Sequence, residues 1–243
     1  MQLLVSVRSA EEVEPALAGG ADIIDAKEPS RGSLGPVDAF VLREISAAVP
    51  PSIPLSVVLG DFQDGAAAAD AIGALELGPR PAGIFVKLGL AGVAMSGGAA
   101  AGFRAAVEAA SVTSCLPRVV AVAYADGTPG LAPGEIVRLA AQAGAAGVLL
   151  DTLTKEGGDL FALMAVGEVK TWVDSARAAG LIAAIAGSLR PDSLGSLREI
   201  APSVVGVRGA ACTGGRGGAV DAEKVRALRR ALDRLRPPVL AVG

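Results

Sequence analysis

The sequence predicts an α/β fold: a closed (βα)8 or TIM barrel, built as a single domain over residues 1–243. Three observations predict it. Short apolar runs alternate with longer alanine-rich periodic stretches, and the alternation occurs eight times. The chain has 243 residues, within the range of about 200–250 in which such barrels form as one domain. No GxGxxG follows the first run and no break marks a reversal of strand order, so a doubly wound sheet lacks its signatures. The repeat of about 30 residues is the βα unit itself, not a solenoid.

The elements follow in order. The first strand is Leu3–Val7, with a helix at Ala10–Ala18. The second strand is Asp22–Ala26, with a helix at Pro36–Ala48. A proline opens that helix, where its fixed φ and missing N–H cost nothing. Leu55–Leu59 precedes Ala66–Leu77, and Gly83–Val86 precedes Ala99–Val112. Val119–Ala123 precedes Pro133–Ala143, and Gly147–Leu150 precedes Val166–Ala179. Leu181–Ala186 precedes Pro191–Ile200, and Val204–Val207 precedes Asp221–Leu235. Pro133, Pro191 and Asp221 repeat the helix-start signal.

Composition then narrows the chemistry. Histidine is absent, which excludes a Ser/His/Asp triad, a Cys/His dyad, a His-liganded metal and an imidazole base. Residues are 51% hydrophobic but only 3% aromatic, with 32 glycines, so the core is built from small aliphatics at close backbone approach. Net charge is −3 and no long basic stripe appears, which argues against nucleic acid as a partner. Arg226–Arg236 reads as a solvated helix end. Cys115 and Cys212 have neither metal spacing nor a disulfide framework and read as free thiols of a reducing cytoplasm. Met1–Val7 has no basic region of a signal peptide. The longest uncharged runs are about 16 residues and broken by glycine, as in Leu88–Phe103, so no membrane span is expected. Small-residue helices suggest packing between subunits in a homo-oligomer. Trp172 reads as core or interface.

In this barrel type chemistry sits at the C-terminal strand ends. Three of the five lysines fall there: Lys27, Lys87 and Lys155. Asp25 and Lys27 are two apart and share a face of their strand. Asp151 ends the sixth strand, and Asp61 and Asp126 follow the third and fifth. These groups read either as rim salt bridges or as a proton-handling set. A lysine desolvated in a barrel mouth loses its proton more easily, and a neutral amine attacks carbonyls. The Glu156-Gly-Gly context of Lys155 points to a shaped loop. Tyr124 reads equally as a site residue or a packed aromatic. Cys212 has only its loop position to commend it as a nucleophile.

Loops after strands seven and eight often hold phosphate in such barrels. Gly187-Ser188 and Arg208-Gly209 occupy them, with glycines that let N–H groups converge on an anion. Arg208 and Arg216 supply charge. Arg31 and Ser33, in the loop after strand two, are candidates for a second phosphate.

Five segments carry a family resemblance: Asp25–Gly35, Phe85–Gly89, Ala123–Asp126, Leu150–Gly157 and Gly206–Ala210. They resemble the (5-formylfuran-3-yl)methyl phosphate synthases, also called 4-(hydroxymethyl)-2-furancarboxaldehyde-phosphate synthases, across essentially the whole chain. The resemblance implies a TIM-barrel carbon-oxygen lyase without metal or organic cofactor. It implies condensation of two glyceraldehyde 3-phosphates, for a methanofuran-type one-carbon carrier. It makes Lys27 the Schiff-base lysine and Lys87 the proton acceptor, with Asp25, Asp151 and Lys155 at further site positions. Two other readings stand beside it: a class I aldolase or isomerase of triose phosphates, and a non-catalytic sugar-phosphate-binding barrel.

Overall fold

The computed structural model describes residues 1–62, 64–89, 98–127, 131–155 and 158–235. Glu156 and Gly157 of the loop after strand six, and Arg236 of the basic helix end, lie outside the described residues.

Eight parallel strands close into a TIM barrel in chain order. They are β1 (Gln2–Val7), β2 (Ile23–Ala26), β3 (Leu55–Asp61), β4 (Ile84–Gly89), β5 (Arg118–Tyr124), β6 (Gly147–Asp151), β7 (Ile182–Ile185) and β8 (Val204–Val207). Helices α1 (Val13–Ala18), α2 (Ala39–Ala48), α3 (Gly65–Gly73), α4 (Gly98–Val112) and α5 (Pro133–Ala143) follow the first five strands. After β6 come a single helical turn, α6 (Leu160–Leu163), and then α7 (Val166–Ala178). The helix expected over Pro191–Ile200 is instead a 3-10 turn, Ser193–Ser196, running into the short α8 (Leu197–Ile200). Gly195 inside that stretch lowers its helical propensity. After β8 a small hairpin pairs β9 (Cys212–Thr213) with β10 (Ala219–Val220), and α9 (Ala222–Leu235) completes the ring.

Period-two alternation divides each strand between two environments. Leu3, Val5, Ile24, Leu150 and Ile185 face outward and are fully buried under the helices. On α9 the residues Val225, Leu228 and Leu232 are buried, at the i, i+3, i+7 spacing of one helical face. Helices α3 and α4 approach so closely that a Cβ on Gly65 would stand 2.1 Å from Gly102 Cα.

The inner face differs. A TIM barrel interior is normally filled by layers of bulky branched side chains. Here Ser6, Ser56, Ala184, Ala186 and Gly206 point inward, and a cavity of about 560 Å³ occupies the axis above and between them. Inward-facing Leu4, Phe85, Ile182 and Ala184 are only partly buried. Among the described residues no helix is long and apolar enough to cross a membrane.

Candidate active site

The strand register assembles the site. Ser6 of β1 pairs with Asp25 of β2, and Asp25 with Ser56 of β3. Lys87 stands opposite Val58, inside β4 rather than at its end. Its Nζ lies 2.6 Å from Asp25 Oδ1, and both side chains are buried. Ser6 Oγ donates to Asp25 Oδ2 at 2.8 Å. Asp25 lies beneath the cavity wall rather than in it.

A second lysine–aspartate pair comes from β6. Lys155 Nζ donates to Asp151 Oδ1 at 2.7 Å, to Thr152 Oγ1 at 3.0 Å, and to the Thr152 carbonyl. Thr152 N–H also donates to Asp151 Oδ1 at 2.7 Å. Burial alone would raise the Asp151 carboxyl, but the Lys155 and Lys27 ammoniums outweigh it and hold the group below the usual carboxylate range.

Lys27 follows β2 and lies electrostatically between these pairs. Its backbone N–H donates to the Val7 carbonyl at 3.0 Å. Its side chain is buried and lines the cavity, with no hydrogen bond or ion pair to any described residue. Burial pushes its ammonium down to about 8; Asp151 and Asp25 oppose this, and Lys87 and Lys155 add to it. Near neutral pH a useful fraction of Lys27 is therefore a free amine.

Above the lysines, the cavity wall comes from Gly187 to Asp192, Arg208 to Ala210, Gly215 and Arg216. Gly187 has φ +99 and its Cβ position is closed by Thr152 Cγ2 at 2.9 Å, so only glycine fits. Ser188 also adopts a positive φ, +52, uncommon for a non-glycine residue.

Three expected phosphate ligands are engaged elsewhere. Arg31 pairs with exposed Asp38 at 2.8 Å and donates to the Pro36 carbonyl, away from the cavity wall. Its long side chain reaches the nearest carboxylate on its own loop. Ser33 Oγ donates to the Thr152 carbonyl at 2.8 Å and to Asp151 Oδ2 at 3.2 Å, so it supports Asp151 from a loop 118 residues away in sequence. Arg208 lines the cavity, but its donors are spent. Nε donates to the Arg216 carbonyl at 3.2 Å. Nη1 donates to the Ser6 carbonyl at 3.0 Å and to Glu12 Oε2. Nη2 donates to Glu12 Oε1 at 3.0 Å and to the Gly218 carbonyl at 2.7 Å. These five bonds use all five guanidinium N–H groups.

Tyr124 is buried and donates to Asp61 at 2.9 Å. Burial, reinforced by the Asp61 carboxylate, raises its hydroxyl far above the ordinary value, so it stays protonated. Asp126 receives Leu153 N–H and Thr154 N–H, each at 2.7 Å, and shapes the loop carrying Lys155. Burial raises the Cys212 thiol, which leaves it a poor nucleophile. Among the described residues no cluster of Cys, Asp and Glu is arranged to hold a metal. Glu12, Ser6 and Ser56 escaped the sequence reading. Inward alternation with Leu4 marks Ser6; nothing local marks Glu12.

Comparison with known proteins supplies the family. The family model described as 4-HFC-P synthase matches residues 3–229. The chain belongs to this family. Among relatives of the 4-HFC-P synthase family, the (5-formylfuran-3-yl)methyl phosphate synthase of Methanothermobacter thermautotrophicus is 38% identical, over 96% of this chain and 99% of its own. The proteins of the same name from Methanosarcina mazei and Methanocaldococcus jannaschii are 37% and 36% identical; each alignment covers 94% of this chain, and 97% and 98% of theirs. This 4-HFC-P synthase family member is thus an enzyme acting on a small molecule. Its fold is shared with 3-hexulose-6-phosphate synthase from Salmonella typhimurium at TM-score 0.65 and 17% identity, over 97% of this chain and 100% of that one. Phosphoribosyl anthranilate isomerase from Thermus thermophilus aligns at TM-score 0.63 and 18% identity, over 97% and 100%.

Proposed function

We propose that this chain condenses two molecules of glyceraldehyde 3-phosphate into (5-formylfuran-3-yl)methyl phosphate, releasing phosphate and water, through a Schiff base on Lys27. The reaction makes it a carbon-oxygen lyase that supplies a furan to a methanofuran-type carrier. One observation carries the reading: Lys27 is a buried amine with a lowered pKa, without a hydrogen bond to a described residue, facing the cavity.

The neutral Lys27 amine attacks the aldehyde of one triose phosphate and expels water. The resulting iminium draws electrons from the adjacent carbon and acidifies its proton. Lys87 accepts that proton, and its contact with Asp25 gives the proton a second seat, so the two exchange protons as a unit. The enamine then attacks the aldehyde of the second triose. Asp151 and Lys155 handle the protons of dehydration, of elimination of one phosphate and of ring closure, and water hydrolyses the iminium to return the Lys27 amine. The Gly187-Ser188 and Gly209 segments line the cavity wall and hold a phosphate there, their glycines letting backbone N–H groups converge on an anion.

Borohydride reduction in the presence of glyceraldehyde 3-phosphate, followed by peptide mass mapping, tests the covalent step. An adduct on Lys27 is expected. Labelling only at Lys170 or Lys224, or none despite turnover, overturns the Schiff base. Product analysis tests the overall reaction: a furan chromophore must appear together with free phosphate. Turnover without either assigns an aldolase or isomerase, and binding without turnover assigns a sensor.

A further inference from the structure

Arg208 was expected to present charge to phosphate, yet its guanidinium is consumed by the fold. Its pairing with Glu12 is buried on both sides, and such a pair is costly unless it organises something. What it organises is the loop after β8. Two of its five N–H groups hold the carbonyls of Arg216 and Gly218, while Glu12 also receives the Arg8 N–H at 2.9 Å and anchors the end of β1. Gly214 and Gly215 carry the loop through φ of +82 and +76.

Arg216 is the residue this loop delivers. Its side chain is half-buried and lines the cavity. Nη2 donates to the Gly32 carbonyl at 2.6 Å, which leaves four of the five N–H groups uncommitted among the described residues. Among the described residues no carboxylate lies within ion-pair distance, and burial pushes the guanidinium below its ordinary value. Asp151 and Glu28 act on it only from beyond that distance, so this half-buried cation facing a cavity has room for a directly bonded anion.

We infer that Arg216 binds the phosphoryl group of a phosphate monoester in the cavity, and that Arg208 acts only as its positioning residue. The inference rests on the synthase reading for its ligand. The planar fork of an arginine matches phosphate oxygens in pairs. Arg216 also leans on the loop after β2, so it supplies on that side the charge that Arg31 and Ser33 do not.

The test is calorimetric titration of the purified full chain with inorganic phosphate. Arg216→Gln is expected to weaken binding at least about tenfold, the usual scale for a charged hydrogen-bonding partner, with the melting midpoint unchanged. Arg216→Lys recovers part of the affinity, since charge returns without the fork. Arg208→Lys lowers the melting midpoint as well as the affinity. Affinity within twofold of wild type in Arg216→Gln overturns the inference. Borohydride trapping of unphosphorylated glyceraldehyde separates the two readings. Absence of trapping in the wild type defeats the Schiff base, while the phosphate titration still decides Arg216.

Discussion

Lys27 ties stability to chemistry. In the folded chain it releases its proton near pH 8, against 10.5 for a free side chain. Between those values the unfolded chain binds more protons, so this group's contribution to stability rises with pH. Below pH 8 the folded chain carries the full cost of a buried ammonium. Lys27→Met is therefore expected to stabilise the protein at pH 7 by about 0.5–2 kcal/mol while abolishing turnover. Denaturant melts across pH should show the gain shrinking from pH 8 toward 10.5. A gain that grows with pH would contradict the burial argument. Residue roles were unevenly legible in the sequence. Lys27, Lys87 and Asp151 stand out as candidates because each lies at or within a few residues of a strand end, and strands can be read from apolar runs. The structural duties of Arg208 and Ser33, and Glu12 altogether, could not be read this way. Their partners are 196 and 118 residues distant, and only the folded barrel brings them together.

At the level of elements, all eight strands fall within a few residues of where hydrophobic patterning puts them. Continuous apolar runs such as Val204–Val207 suit strands covered on the outside by helices. Helix reading failed where length ran out: the segment after Pro191 has too few apolar repeats to sustain regular turns. The α3–α4 contact gives the glycine excess one concrete purpose. Gly65→Ala would force a methyl into Gly102, and overpacking of this kind costs about 1–3 kcal/mol. Thermal denaturation should show a fall of about 2–4 °C per kcal/mol for a chain of this size. An unchanged midpoint would mean that the two helices can separate freely.

Across the whole molecule, the loop after β2 reaches to the opposite side of the barrel. Ser33 contacts Asp151 at the end of β6, and Leu34 packs with Val58, Val122 and Tyr124 over the β3–β5 side. Among the described residues, the upper cavity wall comes from the β6–β8 side and the end of β2. The hollow axis below can be filled. Ala184→Leu is expected to keep or slightly raise the melting midpoint, as cavity filling does. It should also cut turnover sharply by displacing substrate. Full activity in that variant would show that the lower chamber is not used.

That hollow axis changes where cohesion resides. Outward-facing Leu3, Val5, Ile24 and Leu150 are sealed against the helices, so most of the barrel's cohesion lies in the shell, and the lumen adds only a smaller cluster around Val58, Val122, Tyr124 and Leu149. Inner-wall positions that border the cavity, away from that cluster, then have more freedom to change than positions in the shell. A lineage carrying such a scaffold can drift through new lumen sequences, and so through new substrates, with its architecture intact.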